Sequence, residues 1–201
     1  MSKQIWKPGA LLAPVPPALV SCGTVEKPNV LTVGWTGIVA THPAMTYISV
    51  RPERFSYPMI KEGGSFVINL PTEKLAKAAD FCGVRSGRDV DKFAHCGLTA
   101  GAASTVSAPI LNESPVNIEC RVTQVLKLGS HHMFLAEITA IQVDDAIVDE
   151  NGRLCLDRAG LIAYAHGEYF SLGEKLGTFG WSVRKKKKPA KGKPKKPHGK
   201  K

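Results

Sequence analysis

Residues 29–71 read NVLTVGWTGIVATHPAMTYISVRPERFSYPMIKEGGSFVINLP, and this stretch decides the fold. Val, Ile, Thr and aromatic residues suit a pleated surface, and runs of them predict strands at residues 30–41, 45–51 and 65–70. Residues 55–61 predict a short helix that ends at the glycine pair Gly63-Gly64. The stretch therefore predicts three strands and one helix packed into a single unit.

The remaining chain continues the strand-rich pattern. Further strands are predicted at residues 18–25, 116–128, 131–143 and 164–172, and the middle two form a hairpin around Gly129-Ser130. Two helices are predicted at residues 72–81, with Thr72 as N-cap, and 89–95, with Ser86 as a candidate cap. Many strands, few helices and no βαβ rhythm indicate a mostly β (α+β) fold, an antiparallel barrel or sandwich. The chain has no GxGxxG or GxxxxGK loop, which argues against a Rossmann or P-loop protein.

The positive charge of the chain is confined to its C-terminal end. The 201 residues carry a formal net charge of +10, yet residues 184–201 alone hold eleven Lys and Arg and no acidic residue. Residues 1–183 hold 16 basic and 17 acidic groups and are nearly neutral. We therefore predict one domain over residues 1–183 and a disordered, Lys-rich tail over 184–201. Any contact with nucleic acid is expected to be weak, salt-sensitive and made by the tail.

The cysteines and the apolar runs exclude other classes. Five widely spaced cysteines form no CxxC pair, so neither a metal site nor a disulfide framework is expected. No apolar run approaches the roughly 18 residues that suggest a membrane span. The N-terminus also lacks the apolar run of a secretory signal. These features predict a soluble, cytoplasmic protein.

Several motifs, in order, resemble the flavin reductase-like (flavoredoxin) domain family. They are residues 29–71, CGVRSGRDVDKF at 82–93, GSHHMFLAEI at 129–138 and GEYFSLGEKLGTFGWS at 167–182. The resemblance implies an FMN-binding split β-barrel and a homodimer with the flavin near the subunit interface. It also implies NADH or NADPH as the electron donor.

The segment after the predicted strand 45–51 holds Arg51, Arg54 and Ser56 within six residues. Spacing alone favours a solvated surface turn, which is what most Arg-x-x-Arg pairs form. A flavin phosphate needs planar cationic donors and a hydroxyl in one place, and Arg and Ser supply them. Within the family motif, these three residues are predicted to bind the phosphate.

The strand 30–41 contains Gly34, Trp35, Thr36 and Gly37, and glycines inside a strand mark a bulge or a close approach of backbone to ligand. The resemblance places this segment beside the isoalloxazine ring and assigns all four residues to the cofactor, with Thr36 and the backbone making the polar contacts.

The later motifs supply three more candidates. By the same resemblance, Ser86 and Lys92 bind the flavin phosphate, with Lys92 often reaching across the dimer. His131 is the catalytic candidate on the nicotinamide side, although Ser130 stands where the family usually has Asp.

The resemblance predicts an NAD(P)H-dependent flavin reductase that passes electrons through FMN to a flavin, a ferric complex or a redox protein. The alternative is a non-catalytic FMN electron carrier reduced by a partner protein. A nucleic-acid-associated protein driven by the tail is a third hypothesis.

Overall fold

The computed structural model describes residues 1–184, so all but Arg184 of the predicted tail lies outside the described residues. Eleven strands are present in this part of the chain: β1 Ala18–Gly23, β2 Pro28–Val33, β3 Thr36–Thr41, β4 Ala44–Val50, β5 Ser65–Asn69, β6 Ala100–Gly101, β7 Ile110–Leu111, β8 Val116–Leu128, β9 His131–Val143, β10 Ile162–Ala165 and β11 Glu168–Ser171. Three α-helices accompany them: α1 Ser56–Gly63, α2 Ala76–Val84 and α3 Lys92–Cys96. Short 3₁₀ turns lie at Glu73–Leu75, Asp145–Ile147, Leu156–Arg158 and Trp181–Val183.

Seven strands form one antiparallel sheet in the order β2-β1-β5-β8-β9-β4-β3. Although β2 and β4 are far apart in this order, Leu31 and Val33 of β2 pack in the same buried cluster as Ile48 and Val50 of β4. A flat sheet would hold these strands apart, so the sheet curls around one core. Strands β10 with β11 and β6 with β7 form separate two-stranded sheets.

The two faces of β1 pack against different layers. Ala18, Val20 and Cys22 point into the cluster enclosed by the curled sheet, whereas Leu19 packs in a second cluster that includes residues of α2 and α3. Alternate residues of a strand face opposite sides, so a strand covered on both sides is apolar throughout. Val30 of β2 lies in the same second cluster as Cys82 of α2 and Phe93 of α3, so the end of α2 and the start of α3 pack beside β2.

The predicted strand 30–41 is wrong in one respect, because it is two strands separated by Gly34 and Trp35. The β2 half pairs with β1 and the β3 half pairs with β4, at opposite edges of the sheet. The chain must therefore pass from one edge to the other at Gly34-Trp35, where the Ser49 N–H donates to the Trp35 carbonyl over 2.9 Å. Gly34 and Trp35 lie between strands, not within one.

The predicted first residues of α2 and α3 are wrong. Thr72 is extended and makes no side-chain cap, and a 3₁₀ turn precedes α2, which continues to Val84. Helix α3 begins at Lys92, and its cap is Asp91, whose Oδ1 accepts a hydrogen bond from the Ala94 N–H over 3.1 Å. Ser86 instead accepts from the Arg88 N–H in the preceding loop.

The later strands confirm one prediction and correct another. The hairpin β8–β9 has the predicted bounds. The predicted strand 164–172 is instead the tight hairpin β10–β11, which turns at His166 and Gly167 with positive φ of 50° and 93°. Within residues 1–184, the structure contains no helix with the length and apolar character needed to span a membrane.

Candidate functional site

A cavity of about 330 Å³ lies where the β4–α1 segment meets the loop between α2 and α3. We call it the arginine cavity, and its lining residues are Leu31, Arg51, Glu53, Arg54, Phe55, Ser56, Arg85, Ser86, Gly87, Arg88 and Lys92. Five of the predicted site residues, Arg51, Arg54, Ser56, Ser86 and Lys92, therefore come together from two separate segments of the chain. Because four arginines and a lysine face a single carboxylate, the cavity is built for an anion.

Two further clefts continue from this cavity. The tryptophan cleft, of about 160 Å³, shares Leu31, Arg51 and Arg54 with it and extends to Gly34, Trp35 and His131. The tyrosine cleft, of about 270 Å³, continues from Gly34 and Trp35 to Tyr164 and Tyr169. Because each cavity shares lining residues with the next, we call the three together the groove; the lining is cationic in the first cavity and aromatic in the third.

The arginines that join the first two cavities have few protein partners. Arg54 Nη1 donates to the Gly83 carbonyl over 3.1 Å, and Arg51 Nη1 lies 3.4 Å from Glu53 Oε1. The Arg51–Glu53 ion pair is exposed and contributes little to stability. Within residues 1–184, most guanidinium donors of Arg51 and Arg54 have no hydrogen-bond partner, so they are available to a ligand.

Lys92 is buried beneath the cavity, with only 4% of its surface exposed. Its ammonium donates to the Val30 carbonyl over 2.8 Å and to the Cys82 carbonyl over 2.9 Å. Burial lowers the pKa of Lys92, and the Arg54 charge lowers it further, against raising contributions from nearby cysteines. An ammonium has three donors, so two of them tie the lysine to β2 and α2 and one remains for an anion.

Ser56 and Gly87 lie on opposite walls of the arginine cavity, the β4–α1 segment and the loop between α2 and α3, where these two segments come close together. Ser56 Oγ accepts a hydrogen bond from Asn29 Nδ2 over 2.6 Å, and only 2% of the Ser56 surface is exposed. A Cβ at Gly87 would collide with the Asn29 amide oxygen and lie 2.9 Å from the Phe55 ring. Only glycine lets the loop between α2 and α3 come this close to α1.

The two adjacent histidines of the hairpin have different surroundings. His131 lines the tryptophan cleft, and its Nδ1 lies 2.9 Å from Ser130 Oγ. Burial lowers the pKa of His131, the charge of Arg51 lowers it further, and Glu53 opposes the shift. His132 instead bonds Tyr57 Oη through its Nδ1 over 2.6 Å, on the opposite side of the strand.

Thr36 and Gly37 were predicted to bind the cofactor, but they line none of the three cavities of the groove in the part of the chain that the structure describes. Thr36 Oγ1 donates to the Tyr47 carbonyl over 2.6 Å, and the Gly37 carbonyl accepts from Thr46 Oγ1 over 2.9 Å. Their polar groups thus serve the pairing of β3 with β4.

Sequence reasoning missed Arg85 and Arg88, which flank the predicted Ser86 in the cavity wall. The available signal was the spacing of Arg85, Arg88 and Lys92 within eight residues. It also missed Asn29, whose role depends on a contact between distant segments and has no local signature.

Comparison with known proteins agrees with a groove that has a cationic end beside an aromatic cleft. The model of the flavin reductase like domain matches residues 11–173. The chain belongs to the flavin reductase-like family.

Two solved structures support the same family fold. The flavoredoxin of Desulfovibrio vulgaris (Miyazaki F) superposes with a TM-score of 0.84 at 28% identity, covering 91% of this chain and 100% of that chain. The flavoredoxin from Methanosarcina acetivorans gives a TM-score of 0.82 at 25% identity with the same coverage. The predicted flavoredoxin-type split barrel is thus confirmed.

A curated relative of the family has a named activity. The NADH-dependent FMN reductase AsuE2 of Streptomyces nodosus subsp. asukaensis is 26% identical over 136 residues, which is 67% of this chain and 72% of that protein. Members of the flavin reductase-like family thus include both flavoredoxins and an FMN reductase.

Proposed function

We propose that this protein binds FMN in the groove and acts as an NAD(P)H-dependent flavin reductase, with residues 1–183 as the FMN-binding domain. One observation carries the proposal: Arg51 and Arg54 line both the arginine cavity and the tryptophan cleft. A ligand with a phosphate at one end and a flat ring at the other fills such a groove. When bound, FMN supplies the hydride and electron chemistry.

The residues of the chain bind and orient the ligand. Arg51 and Arg54 hold the phosphate with planar donors, assisted by the Ser56 hydroxyl, Ser86 and the remaining Lys92 donor. Their position fixes the ring in the cleft between Gly34, Trp35 and His131. The exposed edge of the ring then faces the nicotinamide side of the groove.

His131 is proposed to contact the nicotinamide. Because its pKa lies below the ordinary value, the imidazole is neutral at pH 7 and has one donor and one acceptor. With Nδ1 beside Ser130 Oγ, the other ring nitrogen is left for the carboxamide of the donor. His131 thereby orients the donor without adding charge beside the ring.

The activity is tested by steady-state oxidation of NADH and NADPH with FMN present. We expect turnover well above the uncatalysed rate and a retained, protein-bound flavin absorbance. The acceptor is identified by replacing added FMN with a ferric complex or a redox protein. Tight FMN binding without turnover of either nicotinamide would favour the electron carrier that the same groove also suits.

We further propose that the protein is a homodimer. Segment 172–183 presents Leu172, Leu176, Phe179, Trp181 and Val183 with large exposed side chains, and Phe179 is fully exposed. Edge strand β3 likewise exposes Ile38 and Val39. Monomers rarely leave so much apolar surface and an open edge strand in water, and a second copy offers complementary surfaces of the same kind.

Light scattering tests the dimer. We expect a mass of twice the 21.6-kDa chain and a shift toward the monomer when Phe179 and Trp181 are both replaced by Ser. Lys175→Ser, in the same segment, is the control and is expected to leave the mass unchanged. A wild-type mass of one chain at micromolar concentration would rule the dimer out.

A further inference from the structure

The groove continues past the tyrosine cleft into a cavity of about 280 Å³, which we call the N-terminal pocket. Its lining includes Leu11, Leu12, Val15, Trp35, Tyr164 and His166. The pocket shares Trp35, Tyr164 and Gly167 with the tyrosine cleft. The tyrosine cleft in turn shares Thr32, Gly34 and Trp35 with the tryptophan cleft, where the flavin ring is proposed to lie. A molecule in the tyrosine cleft would therefore lie beside the ring.

The tyrosine cleft and the N-terminal pocket lack the positive charge of the arginine cavity. Within residues 1–184, no lysine or arginine lines either of them, and Asp80 is the one acidic residue in their lining. A ligand with a phosphate or a carboxylate group would face Asp80 without a compensating cation. These two cavities therefore suit an uncharged ligand, and they disfavour flavin phosphates, dinucleotides and ferric complexes of carboxylates.

The walls of these cavities are aromatic and are held in place by the fold. The rings of Tyr164 and Tyr169 pack edge to face, with centroids 5.1 Å apart and an interplanar angle of 60°. Val15 and Tyr164 exchange two backbone hydrogen bonds of 2.9 Å, which hold the N-terminal segment against the β10–β11 hairpin. Trp35 is still 38% exposed. The indole and the phenol rings thus offer flat apolar surfaces against which a planar ring packs.

The two phenol hydroxyls in these walls are available to a ligand. Tyr57 Oη bonds His132, whereas the hydroxyls of Tyr164 and Tyr169 make no hydrogen bond with any group in residues 1–184. No buried side-chain oxygen in this part of the chain lacks a partner, so both hydroxyls reach the open cavity or its mouth. Burial, and after it the nearby Asp80 and Tyr164, raise the pKa of Tyr169 to about 12. The Tyr169 phenol therefore keeps its proton at neutral pH and can donate it to a carbonyl oxygen.

We propose that the tyrosine cleft and the N-terminal pocket bind the electron acceptor, and that this acceptor is an uncharged aromatic quinone. Its ring packs against Trp35 and Tyr164, and the hydroxyls of Tyr164 and Tyr169 donate to its carbonyl oxygens. This inference rests on the proposed function and names the acceptor class for the same groove. In the overall reaction, NADH or NADPH loses a hydride and is oxidised. The quinone gains the two electrons and the proton of that hydride, takes a second proton from solvent and leaves as the hydroquinone.

Quinone binding is measured first, without turnover. Dimethylnaphthoquinone, whose substituted quinone ring does not alkylate the free cysteines, is titrated by calorimetry into the flavin-free and the FMN-loaded protein. We expect both forms to bind it, and the double variant Tyr164→Phe/Tyr169→Phe to bind it about ten-fold more weakly, because two donors are lost while the rings remain. FMN affinity of the variant is expected to stay within about two-fold of wild type. Tyr47→Phe is the matched control, since Tyr47 lines neither cavity.

The second arm tests the charge of the ligand. The same quinone with a sulfonate on its benzo ring is expected to bind wild type about five-fold more weakly, because the sulfonate faces Asp80 with no cation nearby. Asp80→Asn is expected to narrow this difference to about two-fold or less. In steady-state oxidation of NADH by the FMN-loaded protein, the KM for the uncharged quinone should rise about ten-fold in the tyrosine double variant.

Three results would overturn the acceptor site. The first is a wild-type protein that binds no quinone, or binds it no better than the tyrosine double variant does. The second is an equal loss of FMN and quinone affinity in that variant, which would assign the tyrosine cleft to the flavin ring. The third is equal wild-type affinity for the uncharged and the sulfonated quinone. Failure of the proposed function is distinguishable, since the wild-type protein would then bind no FMN or oxidise neither nicotinamide, whatever its affinity for the quinone.

Discussion

Replacing either Arg51 or Arg54 with alanine is expected to weaken FMN binding by about ten- to a hundred-fold, the cost of about 1.5–3 kcal/mol for a lost charge-assisted hydrogen bond. Both guanidinium groups stand where the arginine cavity joins the tryptophan cleft. In the proposed FMN complex, loss of either guanidinium removes a phosphate donor and an anchor of the ring beside Gly34. Both side chains are exposed, so the free energy of unfolding should hardly change.

Fluorescence titration of FMN measures the loss, and urea unfolding confirms that each variant is folded. Arg153→Ala is the control, because it removes an exposed arginine that does not line the groove. FMN affinity that stays at the wild-type value in both variants would refute the phosphate assignment.

The largest effect on stability is expected at Glu119 of β8, which is fully buried. Its carboxylate accepts hydrogen bonds from the N–H and hydroxyl groups of Ser104 and Thr105 and from Gln142 Nε2, at 2.6–2.9 Å. It thereby fastens the loop between β6 and β7 to the sheet. Glu119→Ala leaves these donors without an acceptor and should cost roughly 3 to 5 kcal/mol in the free energy of unfolding.

Urea unfolding measures this cost, with Glu150→Ala, an exposed acidic residue, as the control that should stay near wild type. A Glu119→Ala midpoint equal to that of the control would show that the loop is held by other contacts.

The same carboxylate makes the stability depend on pH. Burial by itself raises the pKa of Glu119, but hydrogen bonds from Gln142, Thr105 and Ser104 outweigh it and lower the pKa from 4.5 to about 2. The unfolded chain therefore takes up the proton first as pH falls, and the contribution of Glu119 is complete above pH 4.5 and disappears toward about pH 2. The stability difference between wild type and Glu119→Gln should shrink over that range, and a constant difference would contradict the shift.

Patterns of neighbouring residues correctly predicted the strands and turns that depend only on neighbouring residues. The bounds of β8 and β9 follow from two strand-forming runs around Gly129-Ser130, and all of these residues are neighbours in the chain. Arg51, Arg54 and Ser56 were predicted from the family motif around them, because their spacing by itself favoured a surface turn. The start of α3 was missed, since Ser86 and Asp91 are both good caps by type and only packing selects between them.

The sequence by itself determined a mostly β, antiparallel chain, the motifs of its family and a nearly neutral body, because strand propensity, turn chemistry and charge are properties of neighbouring residues. Only the tertiary structure decided that the predicted strand 30–41 is interrupted at Gly34-Trp35. At these two residues the chain crosses from one edge of the curled sheet to the other, and strand propensity does not register such a crossing. It also decided that Arg85 and Arg88 line the same cavity as Arg51. Gly87, between the two arginines, approaches Asn29 closely, and a contact between two segments far apart in the chain leaves no pattern in either segment.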